Sequence, residues 1–231
     1  MKKLKDSIVI LSLLFAVFIT QSSFASTENN GFIRQVSPAW GTTDVNPYVS
    51  MTVTTDVEIR SADLTKYVKL IDSKGQKVSG VRVGKIKGST FFVDADSALK
   101  VGQQYRLIYM DSIPLASFTV SPENPVSTAG FKRKLAVKRS VPLDKTFEIG
   151  FTKPMDADSL TDETLWVEND RGEKVEAALR LSADKKTATI DPVTNFEAGR
   201  MYFLKISGDT QSSSQVGLGT PVIQPFRTVH Q

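Results

Sequence analysis

Apolar and polar residues alternate in short runs along most of this chain. Met51-Thr52-Val53-Thr54, Tyr105-Arg106-Leu107-Ile108-Tyr109, Phe147-Glu148-Ile149-Gly150-Phe151 and Tyr202-Phe203-Leu204-Lys205-Ile206 place every second side chain on one face. This is the period of a strand with one side on a core and the other in water. Turn signals separate the runs, among them Asp72-Ser73-Lys74-Gly75, Asn169-Asp170-Arg171-Gly172 and Ala183-Asp184-Lys185-Lys186. Glycine and short polar side chains tolerate the dihedral angles of tight reversals. No stretch after residue 25 sustains a 3.6-residue apolar period, and at most one short helical turn is expected, at Asp158 to Glu163, capped by Asp158 or Ser159. Strands spaced by about 8 to 12 residues predict an all-β chain of Greek-key sandwiches, each of roughly 90 to 100 residues.

The pattern repeats. Under a shift of 96 or 97 residues, Met51, Val53 and Thr55 fall on Phe147, Ile149 and Phe151, and Leu64 falls on Leu160. Leu70 meets Val167, Lys77-Val78 meets Lys174-Val175, Val93-Asp94 meets Ile190-Asp191, and Gly102, Tyr105 and Leu107 meet Gly199, Tyr202 and Leu204. An insertion of roughly Gln211 to Gln224 precedes the last strand of the second copy. The predicted division is an export signal at 1–25, a short segment at 26–35, one sandwich at 36–121, a linker at 122–130 and a second sandwich at 131–229. Pro122 and Pro125 oppose a continuing strand, so two separately folding units with a joint between Ser121 and Ala129 are expected. Each glycine of the pair Gly102 and Gly199 should make the turn into its strand, with Tyr105 and Tyr202 burying their rings and giving each hydroxyl a backbone partner.

Val141-Pro142-Leu143-Asp144-Lys145-Thr146-Phe147-Glu148-Ile149-Gly150-Phe151, followed by Pro154-Met155-Asp156-Ala157-Asp158-Ser159-Leu160, resembles the opening of the bacterial Ig-like domain of S-layer proteins. The likeness continues through Lys186 to Pro192 and Ala198 to Tyr202, and the first copy keeps a similar start in Ser37-Pro38-Ala39-Trp40-Gly41. In the first copy, Asp56-Val57-Glu58 stands where the family's proline and methionine would be. The resemblance implies two tandem immunoglobulin-like Greek-key β-sandwiches. It also implies an envelope-associated binding or spacer protein, a small-ligand or metal-ion carrier, or an accessory module of a cell-wall enzyme system.

Residues 1–25 read as a cleavable signal, with Lys2, Lys3 and Lys5 before an apolar run from Ile8 to Ile19 and Ser23-Phe24-Ala25 at its end. A bilayer span needs about 20 apolar residues, so this run is short for an anchor, and no stable membrane insertion is expected after cleavage. Its removal takes Lys2, Lys3, Lys5 and Asp6 from a chain of net charge +4 and leaves +2. That balance gives little reason to expect nucleic acid. The chain has no cysteine, hence no disulfide, thiol nucleophile or lipidated cysteine, which suits an exported bacterial protein held by core packing.

Catalytic chemistry is thin. The one histidine, His230, stands at a terminus expected to fray, where it cannot orient a Ser-His-Asp unit, and Gly84 and Gly88 read as turns. No enzyme activity and no cofactor are expected. Ser37-Pro38-Ala39 is also similar to the start of periplasmic copper carriers, but those depend on histidine and clustered methionine. Here Met51, Met110, Met155 and Met201 are scattered and expected to fill cores. Asp156 and Asp158 offer oxygens to calcium or, alternatively, organise a turn. Lys132, Arg133, Lys134, Lys138 and Arg139 form a basic run that meets an anionic cell-wall polymer, an envelope protein or an acidic surface, or else charges an edge strand against pairing. Trp166, in Leu165-Trp166-Val167, is expected to be buried, and Trp40 is open to either reading.

Overall fold

The structure, a computed structural model, describes residues 32–231. The expected export signal, with most of the segment after it, lies outside the described residues. The first half contains β1 (Ile33–Ser37), β2 (Thr42–Val45), β3 (Ser50–Thr55), a helix α1 (Ser61–Tyr67), β4 (Val68–Asp72), β5 (Val81–Lys87), β6 (Thr90–Ala95), β7 (Gln104–Tyr109) and β8 (Ile113–Val120). They form two sheets, ordered β1-β3-β6-β5 and β2-β8-β7-β4. Met51, Val53, Leu70, Phe91, Val93, Leu107 and Phe118 fill the space between the sheets. Strand register explains why: Met51 pairs with Val93 and Val53 with Phe91, so the alternating apolar positions of neighbouring strands share one face.

The second half contains β9 (Arg133–Lys134), β10 (Lys138–Val141), β11 (Phe147–Gly150), β12 (Leu165–Asn169), β13 (Ala177–Leu181), β14 (Thr187–Pro192), β15 (Met201–Ile206) and β16 (Val222–Thr228). Its sheets run β10-β16-β15-β12, with β9 also on β16, and β11-β14-β13. Phe147, Leu165, Val167, Ile190, Phe196, Tyr202 and Phe226 make its core. The order β2-β8-β7-β4 recurs as β10-β16-β15-β12, and Val68–Asp72, Thr90–Ala95 and Gln104–Tyr109 have counterparts 97 residues on at Leu165–Asn169, Thr187–Pro192 and Met201–Ile206. In both halves the first strand of this sheet pairs in parallel with the last, β2 with β8 and β10 with β16.

Four expectations are corrected. Helix α1 has no signal in the apolar pattern, and the second-half turn is a 3-10 segment at Ala157–Ser159, earlier than expected. Two helical turns are too short to show a period; α1 is held by Leu64, which is fully buried, and by the Arg60–Asp63 ion pair at its start. Met110 fills no core: it is 53% exposed in the β7–β8 turn, whereas Met51, Met155 and Met201 are buried. Gly84 is no turn but an interior residue of β5, paired with Phe92, whose ring lies where a Cβ would be (2.1 Å). Finally, β16 begins at Val222, paired with Ile206, so the inserted loop ends before that residue.

A third core joins the two halves. Tyr48, from the β2–β3 loop, packs edge-on to Phe203 at 5.0 Å and shares a buried cluster with Val126, Met201 and Ile223, flanked by Phe131 and Val137. These β15 and β16 residues face away from the second sandwich's own core, so the linker covers the outer side of that sheet. Asn124 organises the linker by accepting from Val126 N–H (3.1 Å) and donating to the Tyr48 hydroxyl (3.2 Å). Asn46 donates across the joint to the Asp170 carbonyl (2.9 Å). Gly172 is required there, because a Cβ would stand 2.4 Å from the Pro125 carbonyl oxygen.

Candidate functional site

The basic run lies on one edge. Strands β9 and β10 both pair with β16, at Val222–Ile223 and at Phe226–Thr228, and so follow each other along its side. Lys132, Arg133, Lys134 and Lys138 are exposed along this edge. Arg139 leaves the set: its Nε donates to Asp96 Oδ1 at 3.0 Å, and that hydrogen bond to the first sandwich raises its pKa above the ordinary guanidinium value.

Asp156 and Asp158 sit against the inserted loop. The Asp156 carboxylate accepts from Asp158 N–H (3.2 Å) and caps the 3-10 segment. Asp156 N–H donates to the Gln211 carbonyl (3.0 Å), and Ser159 Oγ bonds the same carbonyl, also at 3.0 Å. Among the described residues, no three histidine, aspartate or glutamate side chains converge as metal ligands. No helix among them is long and apolar enough to cross a membrane.

Trp40 is 47% exposed. Trp166 is half-buried, on the outer face of β12 and not in the sandwich core, because its neighbours Leu165 and Val167 take the inner positions. Its indole N–H donates to Glu168 (3.3 Å), and its ring meets Phe131 edge-on at 6.2 Å. Lys205 reaches between these rings, ion-paired with Glu168 and donating to the Ser127 carbonyl at 2.8 Å. The linker is thereby clamped to β12 and β15. A cavity of about 290 Å3 opens between β12 and β13, lined by Trp166, Lys174, Glu176, Leu165 and Leu179.

The tyrosines behave as a matched pair. Lys100 N–H donates to the Tyr105 hydroxyl and Glu197 N–H to the Tyr202 hydroxyl, each at 2.9 Å. Gly102 and Gly199 hold φ of 66° and 69° in the turns before them.

His230 corrects the expectation of a frayed end. Its ring stacks on Phe92 at 3.9 Å, with the two planes nearly parallel at 7°, and its Nε2 lies 2.9 Å from Asp94 Oδ2. Phe92 is itself laid flat across Gly84. Asp94 is 1% exposed; its Oδ1 accepts from Ser50 Oγ at 2.6 Å, and Arg227 Nε stands 3.5 Å from Oδ2. Arg227 also donates to the Gly199 carbonyl (2.9 Å) and to the Tyr48 carbonyl across the joint (3.1 Å). Burial pushes the Arg227 guanidinium below its ordinary pKa, and the charge of Asp94 works against that shift. The second half provides an internal control in Asp191, which keeps the equivalent hydroxyl partner, Thr146 Oγ1 at 2.7 Å, but is partly exposed. The hydroxyl–aspartate pair thus belongs to each sandwich, and docking of the second sandwich onto the first adds Arg227 and His230 to one of them. The repeat shows Asp94 and Asp191 as equivalents; no sequence signal says which end is covered.

No curated protein sequence matches the chain. Solved structures similar to it include domains 1-6 of the surface layer protein SbsC, at 18% identity over 42% of this chain and 13% of that one, with a TM-score of 0.33. CopC from Methylosinus trichosporium OB3b is 21% identical over 42% of this chain and 98% of its own, with a TM-score of 0.29. An L,D-transpeptidase from Mycobacterium smegmatis is 11% identical over 85% and 97%, with a TM-score of 0.34. Residues 133–228, which hold β9 through β16, match the bacterial Ig-like domain family.

Proposed function

We propose that this is an exported, non-enzymatic binding or spacer protein of the bacterial envelope, built from a tandem pair of Ig-like domains of the S-layer type. The repeated strand bounds support reading the first half as a second copy. The basic signal-like start and the absence of cysteine support export. The observation that carries the reading is the basic edge of β9 and β10: Lys132, Arg133, Lys134 and Lys138 stand exposed in one line, on a sandwich whose orientation to its neighbour is held by a packed linker. Such an edge attracts an anionic cell-wall polymer over a distance set by ionic strength.

The test is sedimentation of the secreted chain with isolated bacterial cell walls, before and after removal of their anionic polymer. Binding should fall at least tenfold when the polymer is stripped, when salt is raised from low to high, and when the four exposed cations are changed together to glutamine. Wall binding unchanged by all three treatments, or no binding at all, overturns the reading.

A further inference from the structure

Between the two sandwiches, beside the His230–Asp94 pair, lies a cavity of about 170 Å3 lined by Arg82 and Lys85 of β5, Phe92 of β6, Ser140 of β10, Arg227 of β16 and His230. None of its lining residues is acidic. The carboxylates nearby are already engaged: Asp94 holds Ser50 and His230, Asp96 holds Arg139, and Glu58 pairs with Lys85. Arg82, Lys85, Arg139 and Arg227 therefore face Asp94, Asp96 and Glu58, leaving one positive charge uncompensated. Arg82 Nε is buried and has no hydrogen-bond partner among the described residues; Asp96 Oδ1, occupied by Arg139, stands 3.5 Å from it.

The Arg82 side chain is 38% exposed and ion-paired with Asp96, but its buried Nε–H lacks a hydrogen bond, and native proteins ordinarily satisfy such groups with an ordered water or an ion. Net positive charge in the same recess decides between the two in favour of an anion. The donors arrive from both sandwiches, Arg82 and Lys85 from the first and Ser140 and Arg227 from the second, so that an oxyanion with several acceptor oxygens can meet both. The space equals several waters at about 30 Å3 each, enough for a phosphoryl group with a small substituent.

We propose that this recess binds one phosphoryl group, with Arg82 as its principal contact, assisted by Lys85 and Ser140. Because half of the site comes from each sandwich, occupancy fastens the joint. The site shares β10 with the basic edge but none of its four exposed cations, and it stands whether or not wall binding holds.

The test titrates the whole secreted chain with sodium phosphate and with methyl phosphate, against sodium chloride at matched ionic strength, by calorimetry and by thermal unfolding. Saturable binding in the micromolar to millimolar range, a melting midpoint that rises with phosphate and not with chloride, and at least a tenfold loss of affinity in Arg82→Gln are expected. Lys77→Gln, at an exposed lysine outside both sites, should bind phosphate as the parent does. A preference for methyl phosphate assigns the site to an esterified terminal phosphoryl group, and equal affinity or a preference for inorganic phosphate assigns it to the free ion. No saturation below about 10 mM, or Arg82→Gln and a second variant, Lys85→Gln, both binding like the parent, overturns the proposal; affinities in this range correspond to Kd values near 1 mM or tighter.

Discussion

Gly199 answers to two constraints, and its counterpart Gly102 to one. Both occupy the left-handed region, where a side chain costs about 1 to 2 kcal/mol. A Cβ on Gly102 would meet open space, while one on Gly199 would stand 2.5 Å from His230 Nδ1. Gly102→Ala should therefore cost about 1 kcal/mol in chemical denaturation and Gly199→Ala distinctly more, with the excess disappearing when His230 is also changed to glycine. Equal costs would show that the histidine is free to move aside. The turn glycines and the tyrosine hydroxyls are legible in the sequence, because the two copies present the same spacing. The role of His230 is not, since its partner Asp94 is distant in the chain and meets it only through docking.

At the scale of elements, the strands follow directly from alternation, whereas α1 and the linker do not. Seven residues leave no room for a helical period, and Ser61–Tyr67 is helical because Leu64 has a core to enter. The linker's prolines do interrupt pairing, yet Val126 between them and β9 is buried with Tyr48, Met201, Phe203 and Ile223. Nothing in Pro-Val-Ser distinguishes a tethering segment from a packed one; the difference lies in the apolar outer face of β15 and β16. In Val126→Asp a carboxylate would be buried without a partner, at a cost of several kcal/mol. Scanning calorimetry should show one transition in the parent and two in the variant, each sandwich melting alone. One unsplit transition in the variant would mean that the third core contributes little to coupling.

Across the whole molecule, the joint combines an apolar cluster with a buried ionic one. Removing one partner of a buried pair is costly because the other charge is left stranded, typically by about 3 to 5 kcal/mol. Asp94→Asn should destabilise the chain by about that amount in urea unfolding. Asp191→Asn, at the equivalent but partly exposed position, should cost within about 1 kcal/mol. Similar losses at both positions would place the role of Asp94 inside its own sandwich and not in the joint. Alternation and the repeat make the two sandwiches legible, but the contacts that orient one on the other come from faces that each sandwich alone would leave to water.

The parallel pairing of β2 with β8 and of β10 with β16 has a mechanical consequence. In a parallel pair, the chain enters one strand and leaves the other at opposite ends. Tension applied along the polypeptide therefore slides β2 past β8, and β10 past β16, loading the hydrogen bonds of each pair together. An antiparallel pair pulled from its open end would yield bond by bond, like a zipper. The second sandwich is thus braced in shear where a pull would enter it, through β9 and β10, whereas in the first a pull meets β1, antiparallel to β3, before it reaches β2; resistance in shear is governed by the rate of unfolding more than by equilibrium stability.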